Sequence, residues 1–247
     1  MKEFFCRLDF LWLCLLATIA PCLTYAADEP RVLNAAYISF PPITYTDAQG
    51  KPAGKLIELA NKLAADSGME ITWREYPVKR IHYLLGTGEI DLWPSSAGIP
   101  AVGEFTLETR PLDIRIRLSA YYNGATRQHS SRADLNNAQL ILIRGYTYLG
   151  EIDNILRSNS RQPIIAPTHS AGLELLQRDR GDYLISFSDP TTEALKKNPL
   201  PGLESHPLNE WPLAFIVSKK ALEAQRIVDA LNSAYSRYTR STAVEDY

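Results

Sequence analysis

Beyond residue 22 the sequence has no cysteine: all three, Cys6, Cys14 and Cys22, fall near the start of the 247-residue chain. The remainder has no disulfide, no thiolate nucleophile and no cysteine-held metal to rely on. Charge is balanced, 26 Lys and Arg against 28 Asp and Glu, so neither nucleic acid nor an anionic membrane has an electrostatic reason to bind. Four histidines (His82, His129, His169 and His206) stand apart, without metal-ligand spacing. There is no phosphate-cradling loop and no nucleophile elbow, and the adjacent His169 and Ser170 point in different directions along the chain. No metal, no cofactor and no catalysis are expected; an enzyme is the rival in kind.

A long hydrophobic run is also missing. The longest, residues 10–20 (FLWLCLLATIA), is too short to span a bilayer as a helix. It follows Lys2 and Arg7 and leads into Thr24-Tyr25-Ala26, with small residues at both positions a signal peptidase reads. Residues 1–26 are therefore expected to be a secretory signal cleaved after Ala26. Glu3 and Asp9 offset its basic charge, so a retained anchor stays as an alternative; Pro21 argues against lipid attachment at Cys22. The roughly 220 residues that follow must be stabilised by burial alone, in one domain or in two lobes of about a hundred residues each.

What is present is an alternation of strand and helix. Residues 32–37 read as a strand, and Leu56, Leu59, Ala60 and Leu63 recur at helical spacing until Gly68. Residues 71–76 form a second strand, Pro77 opens a helix through Val78, Ile81, Leu84 and Leu85, and residues 90–93 form a third strand. That order predicts a parallel sheet with crossover helices. The pattern returns with strands at 140–143 and 164–165, and with a helix that Ser170 is placed to cap. LLGTGEIDLWPSS (84–96) and LLQRDRGDYLISFS (175–188) share one plan: helix end, Gly, Asp, apolar strand, hydroxyl residues. Arg180-Gly181-Asp182 spells an adhesion tripeptide, but it reads as the start of a strand. The chain divides into a first lobe at 27–122, a second at 123–211, and a return to the first at 212–247. A last helix, from 221 to about 238, closes on the first lobe through Ala224, Val228, Leu231 and Tyr235.

Five stretches, FPPITYTDAQGKPAGKLIELANKLA (40–64), LLGTGEIDLW (84–93), RGYTY (144–148), LQRDRGDYLI (176–185) and PLAFIVSKK (212–220), carry a further likeness. In their order and spacing the chain resembles the family 3 periplasmic solute-binding proteins, the polar amino acid-binding components of ABC importers. The resemblance implies an α/β, two-lobed periplasmic binding protein fold of type II, with two crossover strands and the ligand cleft between the lobes. It implies capture of a small polar solute, amino acid-like or an organic anion, by hinge closure. The expected location is the periplasm and the expected partner an inner-membrane ABC permease, with the protein a monomer.

By the same resemblance Phe40 stacks on the ligand, Ser95 and Ser96 take its carboxylate, and Thr147 does so from the second lobe. Trp93 and Trp211 are read as core or hinge packing. The family's carboxylate-binding arginine falls on Gly103, and its ammonium-binding aspartate on Phe187, so both charged clamps are missing. Asp189 is a candidate replacement for the acid. Arg144, Arg80 and Arg110 are candidates for the base, Arg144 foremost because it precedes a helix start. Without the usual clamps, a stand-alone periplasmic sensor module that signals to a membrane partner is the alternative to import.

Overall fold

Residues 30–127 and 131–245 are described in a computed structural model. The expected signal segment, with its three cysteines, lies outside the described residues. The chain starts with β1 (Arg31–Tyr37), a short hairpin of β2 (Tyr45–Thr46) and β3 (Pro52–Ala53), and α1 (Lys55–Ala65). Then come β4 (Met69–Glu75), α2 (Val78–Thr87), β5 (Leu92–Ser96), α3 (Pro100–Gly103) and β6 (Thr106–Glu108). The long β7 (Arg115–Asn123) leads to β8 (Leu140–Ile143), α4 (Asp153–Ser158), β9 (Ile164–Ala166), α5 (His169–Gln177), β10 (Tyr183–Phe187) and α6 (Ser188–Lys197). The chain returns through β11 (Leu203–Ser218) to α7 (Ala224–Glu245).

The helices form where apolar residues recur at intervals of three and four. In α1 they are Leu56, Ile57, Leu59, Ala60, Leu63 and Ala64, and in α2 Val78, Ile81, Leu84 and Leu85, all buried. Burying one such Leu or Ile stabilises the fold by about 1.5–3 kcal/mol. The strands β8 and β10 are buried along their whole length, as strands of a parallel sheet covered on both faces must be. Gly88 ends α2 in a left-handed conformation, its N–H donating to the Leu84 carbonyl at 3.0 Å. The cap of α5 is Thr168, whose hydroxyl accepts from the Ala171 N–H, two residues before the expected Ser170.

The strand order is β4-β1-β5-β11-β7-β10-β8-β9, with β6 also paired to β11. Each end of this sheet holds one parallel unit with its first strand in the middle: β4-β1-β5 at one end and β9-β8-β10 at the other. The two units are joined by antiparallel strands. Residues of β11 from Leu203 to Pro212 pair with β7, and from Leu213 onward they pair with β5. Strand β11 thus belongs to both halves and changes sides after Pro212. On the other link, Leu112 and Ile114 exchange backbone bonds with Leu213 at 2.8 Å each. The architecture is the two-lobed α/β binding-protein fold. Helix α7 packs against α1 of the first lobe.

Candidate functional site: a cleft at the strand ends

In a parallel α/β unit the loops beyond the carboxyl ends of the strands gather at one edge, and ligands bind there. Here those loops from both units meet around one cavity of about 730 Å³. Its walls take Phe40 from beyond β1, Ser95 and Ser96 from the end of β5, Tyr146 to Tyr148 from beyond β8, and Phe187 from the end of β10. The volume lies in the range that holds a small organic ligand.

The first-lobe wall is held by close backbone contacts. The Phe40 N–H donates to the Thr44 carbonyl, while Thr44 Oγ1 donates to the Ile38 carbonyl at 2.8 Å. Gly54 makes this turn possible: at φ +114°, a Cβ there would sit 2.4 Å from the Ile43 carbonyl oxygen. Beyond β5, the Gly98 N–H donates to the Glu108 carboxylate at 3.0 Å, so a negative charge already occupies that loop amide.

The second-lobe wall is a tight left-handed turn. Tyr148 and Leu149 have φ of +51° and +55°, between Gly145 at +85° and Gly150 at +78°. Non-glycine residues rarely adopt this conformation and need support from their surroundings. Tyr148 has it: its hydroxyl accepts from the Ile143 N–H at 2.6 Å, and its ring stacks on Phe187 at 6.2 Å and 5°.

Aromatic rings dominate the enclosure. Phe40 meets Phe187 at 5.2 Å and Tyr146 at 5.8 Å, and Phe187 meets Trp211 at 6.4 Å. The Tyr146 hydroxyl donates to the Ser39 carbonyl at 3.3 Å, a polar contact between the halves. Burial pushes the pKa of that hydroxyl well above its ordinary value, so it remains protonated. The charged side chains of the lining are Lys79 and Asp153, both exposed and opposite in sign.

Of the residues singled out in the sequence, Phe40, Ser95, Ser96 and Thr147 line this cavity together. Arg80, Arg110, Arg144 and Asp189 are not among its lining residues. Arg80 lies over the ring of Tyr83 at 5.0 Å, and Arg110 donates to Ser236 Oγ on α7 at 3.0 Å. Arg144 is exposed and its backbone N–H donates to the Ala166 carbonyl. Asp189 is half-buried at the start of α6, where burial pushes its carboxyl up while Lys55 and Arg117 draw it back. Phe187 and Gly103 stand where the sequence reading marked missing clamps: Phe187 is part of the wall, and Gly103 lies at the end of α3 with open space around its Cα.

Trp93 and Trp211 both line the cavity, as does His82. The signal for His82 was weak, since one histidine on a helix with an apolar stripe has many other readings. Its ring lies 5.4 Å from that of Trp93, and burial lowers its basicity. Among the described residues no group of three His, Cys, Asp or Glu side chains is arranged to hold a metal ion.

Residues 33–101 match the bacterial extracellular solute-binding proteins, family 3. The match runs from β1 into α3 and takes in Phe40, Ser95 and Ser96. The solved structures extend the likeness over most of the chain. A histidine kinase sensor domain with similarity to periplasmic binding proteins aligns over 89% of this chain and 95% of its own, at 18% identity and a TM-score of 0.72. An ancestral arginine-binding protein bound to arginine aligns over 88% and 96%, at 16% identity and a TM-score of 0.71. A substrate-binding protein of an ABC uptake transporter from Streptococcus pneumoniae, with bound histidine, aligns over 85% and 87%, at 16% identity and a TM-score of 0.69. At such identities the structural likeness concerns the fold. No curated protein sequence matches the chain.

Proposed function

We propose that the protein is an exported, family 3-type receptor that captures a small polar solute by closing its two lobes. The observation that carries this is the convergence of four strand-end segments, two from each parallel unit, on one cavity. Such a site is complete only when the halves meet, so binding and closure are one equilibrium. Phe40, Ser95, Ser96 and Thr147 serve as ligand contacts in this reading. The two crossings, near Leu112 and near Pro212, take up the hinge motion. Binding is the whole task, with no chemistry and no cofactor required. The periplasm is the proposed location and an inner-membrane ABC permease the proposed partner.

A second reading, a receptor module that reports to a signalling protein, is favoured by the likeness to a histidine kinase sensor domain over 89% of the chain. Both readings need ligand-dependent closure. Small-angle scattering with and without material released from the native protein tests it. A radius of gyration that falls on ligand addition supports a receptor; an unchanged radius and no co-purified small molecule in native mass spectrometry overturn it. Pull-down from membranes against a permease or a kinase then separates the two.

A further inference from the structure

Three polar groups on the first-lobe side of the cavity have no hydrogen-bond partner among the described residues: Trp93 Nε1, Ser96 Oγ and His82 Nε2. Trp93 and Ser96 are each only 2% exposed, and all three residues line the cavity. Leaving such a group unpaired and shielded from water costs about 1–3 kcal/mol. Native proteins rarely leave such groups around one cavity without a use for them. His82 on α2 packs on Trp93 of β5 with ring centroids 5.4 Å apart, while Ser96, three residues further along β5, reaches the cavity from the other face of the strand.

We propose that these groups form the hydrogen-bonding floor for an uncharged ring-shaped solute, an aromatic amide or an N-heterocycle. The proposal rests on the receptor reading above and narrows its ligand. The indole N–H only donates, so the solute must present an acceptor, a carbonyl oxygen or ring nitrogen. Ser96 and His82 can donate or accept, which suits a group carrying an acceptor beside an N–H or O–H. Tyr146, Tyr148, Phe187 and Trp211 face Phe40 in one cluster of rings that lines the same cavity and favours a flat apolar body.

Charge argues the same way. A bound carboxylate or ammonium removed from water needs a fixed counter-charge. Lys79 and Asp153, the charged members of the lining, are both exposed to water rather than fixed in its buried part, and Arg80, Arg110 and Arg144 are not part of it. The Gly98 amide, a donor that an anion would seek, is already held by Glu108. Separation of the lobes gives the solute its way in, and closure then encloses it.

The test is calorimetric titration of the purified protein with matched pairs: benzamide against benzoate, nicotinamide against nicotinate, and phenylalanine as a zwitterion. The expected result is that each amide binds at least tenfold more tightly than its acid and than phenylalanine. Trp93→Phe keeps the ring but removes the N–H, and Ser96→Ala removes the hydroxyl. Each should weaken amide binding by about tenfold while the melting temperature of the free protein stays the same or rises. Tighter binding of the acids or of phenylalanine overturns the proposal and leaves the receptor reading standing. Equal amide affinity in wild type and Trp93→Phe also overturns it. Absence of binding by both series overturns it as well, and the scattering experiment then decides the receptor reading separately.

Discussion

Phe40 and Phe187 meet edge to face with ring centroids 5.2 Å apart, one from beyond β1 and the other from the end of β10. Both are buried, at 6% and 5% exposure, so the contact ties the two halves together without a charge on either side. Replacing Phe187 with Ala removes this pair, the stack on Tyr148 and the edge contact with Tyr146. The expected loss is about 3 kcal/mol, the low end for a buried Phe, because one side of the ring faces the cavity. Urea unfolding measures it; a loss under 1 kcal/mol would mean the rings carry little of the closed state.

The Tyr146 hydroxyl is the polar counterpart of that contact, donating across the cleft to the Ser39 carbonyl. Tyr146→Phe keeps the ring in the cluster and deletes only the donor. A net hydrogen bond contributes about 1 kcal/mol, so ligand affinity should fall about fivefold. The free protein should become more open in scattering, with its secondary structure unchanged. An affinity equal to wild type would show that the closed state does not depend on this bond.

Gly54 is the clearest backbone requirement near the site. A Cβ there would meet the carbonyls of Ile43 and Pro42 at 2.4 and 2.8 Å, on top of a left-handed φ of +114°. Gly54→Ala is therefore expected to destabilise the protein by about 2–3 kcal/mol. It should also weaken binding, because the same turn positions Phe40. The control is Gly50→Ala, at φ +77° with no atom within 4 Å, whose smaller cost reports left-handed strain alone. Equal melting temperatures for the two variants would count against the steric account.

Much of the fold could be read from the sequence because it is repeated there. The shared pattern of GEIDLW and RGDYLI has a structural counterpart: Asp91 and Asp182 stand just before β5 and β10 and do the same work. Asp91 accepts from the Asn34 N–H at 2.9 Å and returns its own N–H to the Asn34 carbonyl at 2.7 Å. Asp182 does both with Gln139 at 2.7 Å. Each clasp aligns the third parallel strand of its lobe on the first. Periodicity showed the helices for a similar reason, since their stripes are continuous.

The site was less legible. Side chains from Phe40 to Trp211 meet in it, and no local pattern records which of them face a shared space. The left-handed turn at Tyr148 and Leu149 breaks the expectation that glycine marks such positions, as Tyr148 is instead held by its hydroxyl and its stack. His82 was hidden by its neighbours: a half-buried polar residue between Ile81 and the exposed Tyr83 follows no periodicity. The arginines misdirect because their charge is plain in the sequence while their surface placement is not.

Two histidines make the last prediction, on acid stability. His169 begins α5, with its ring 5.4 Å from Tyr146 and its Nε2 buried without a partner among the described residues. Burial pushes its basicity down from 6.5 to about 4, and burial lowers that of His82 from 6.5 as well. As pH falls through 6.5 the unfolded chain takes up these protons while the folded chain does not. Stability is therefore full above pH 6.5, declines below it, and stops declining on account of His169 once pH passes about 4. Asp189, whose carboxyl is pushed up by burial, works against this trend. The histidine part is isolated by comparing wild type with His169→Gln and with the His82→Gln, His169→Gln double variant. Melting temperature should fall more steeply between pH 7 and 5 in wild type than in the single variant, and least in the double. Each kcal/mol recovered at pH 5 raises it by about 2–4 °C for a chain of this size. Parallel curves for all three proteins would mean that the two rings are protonated in the fold as readily as in the unfolded chain, and that their burial does not oppose charge.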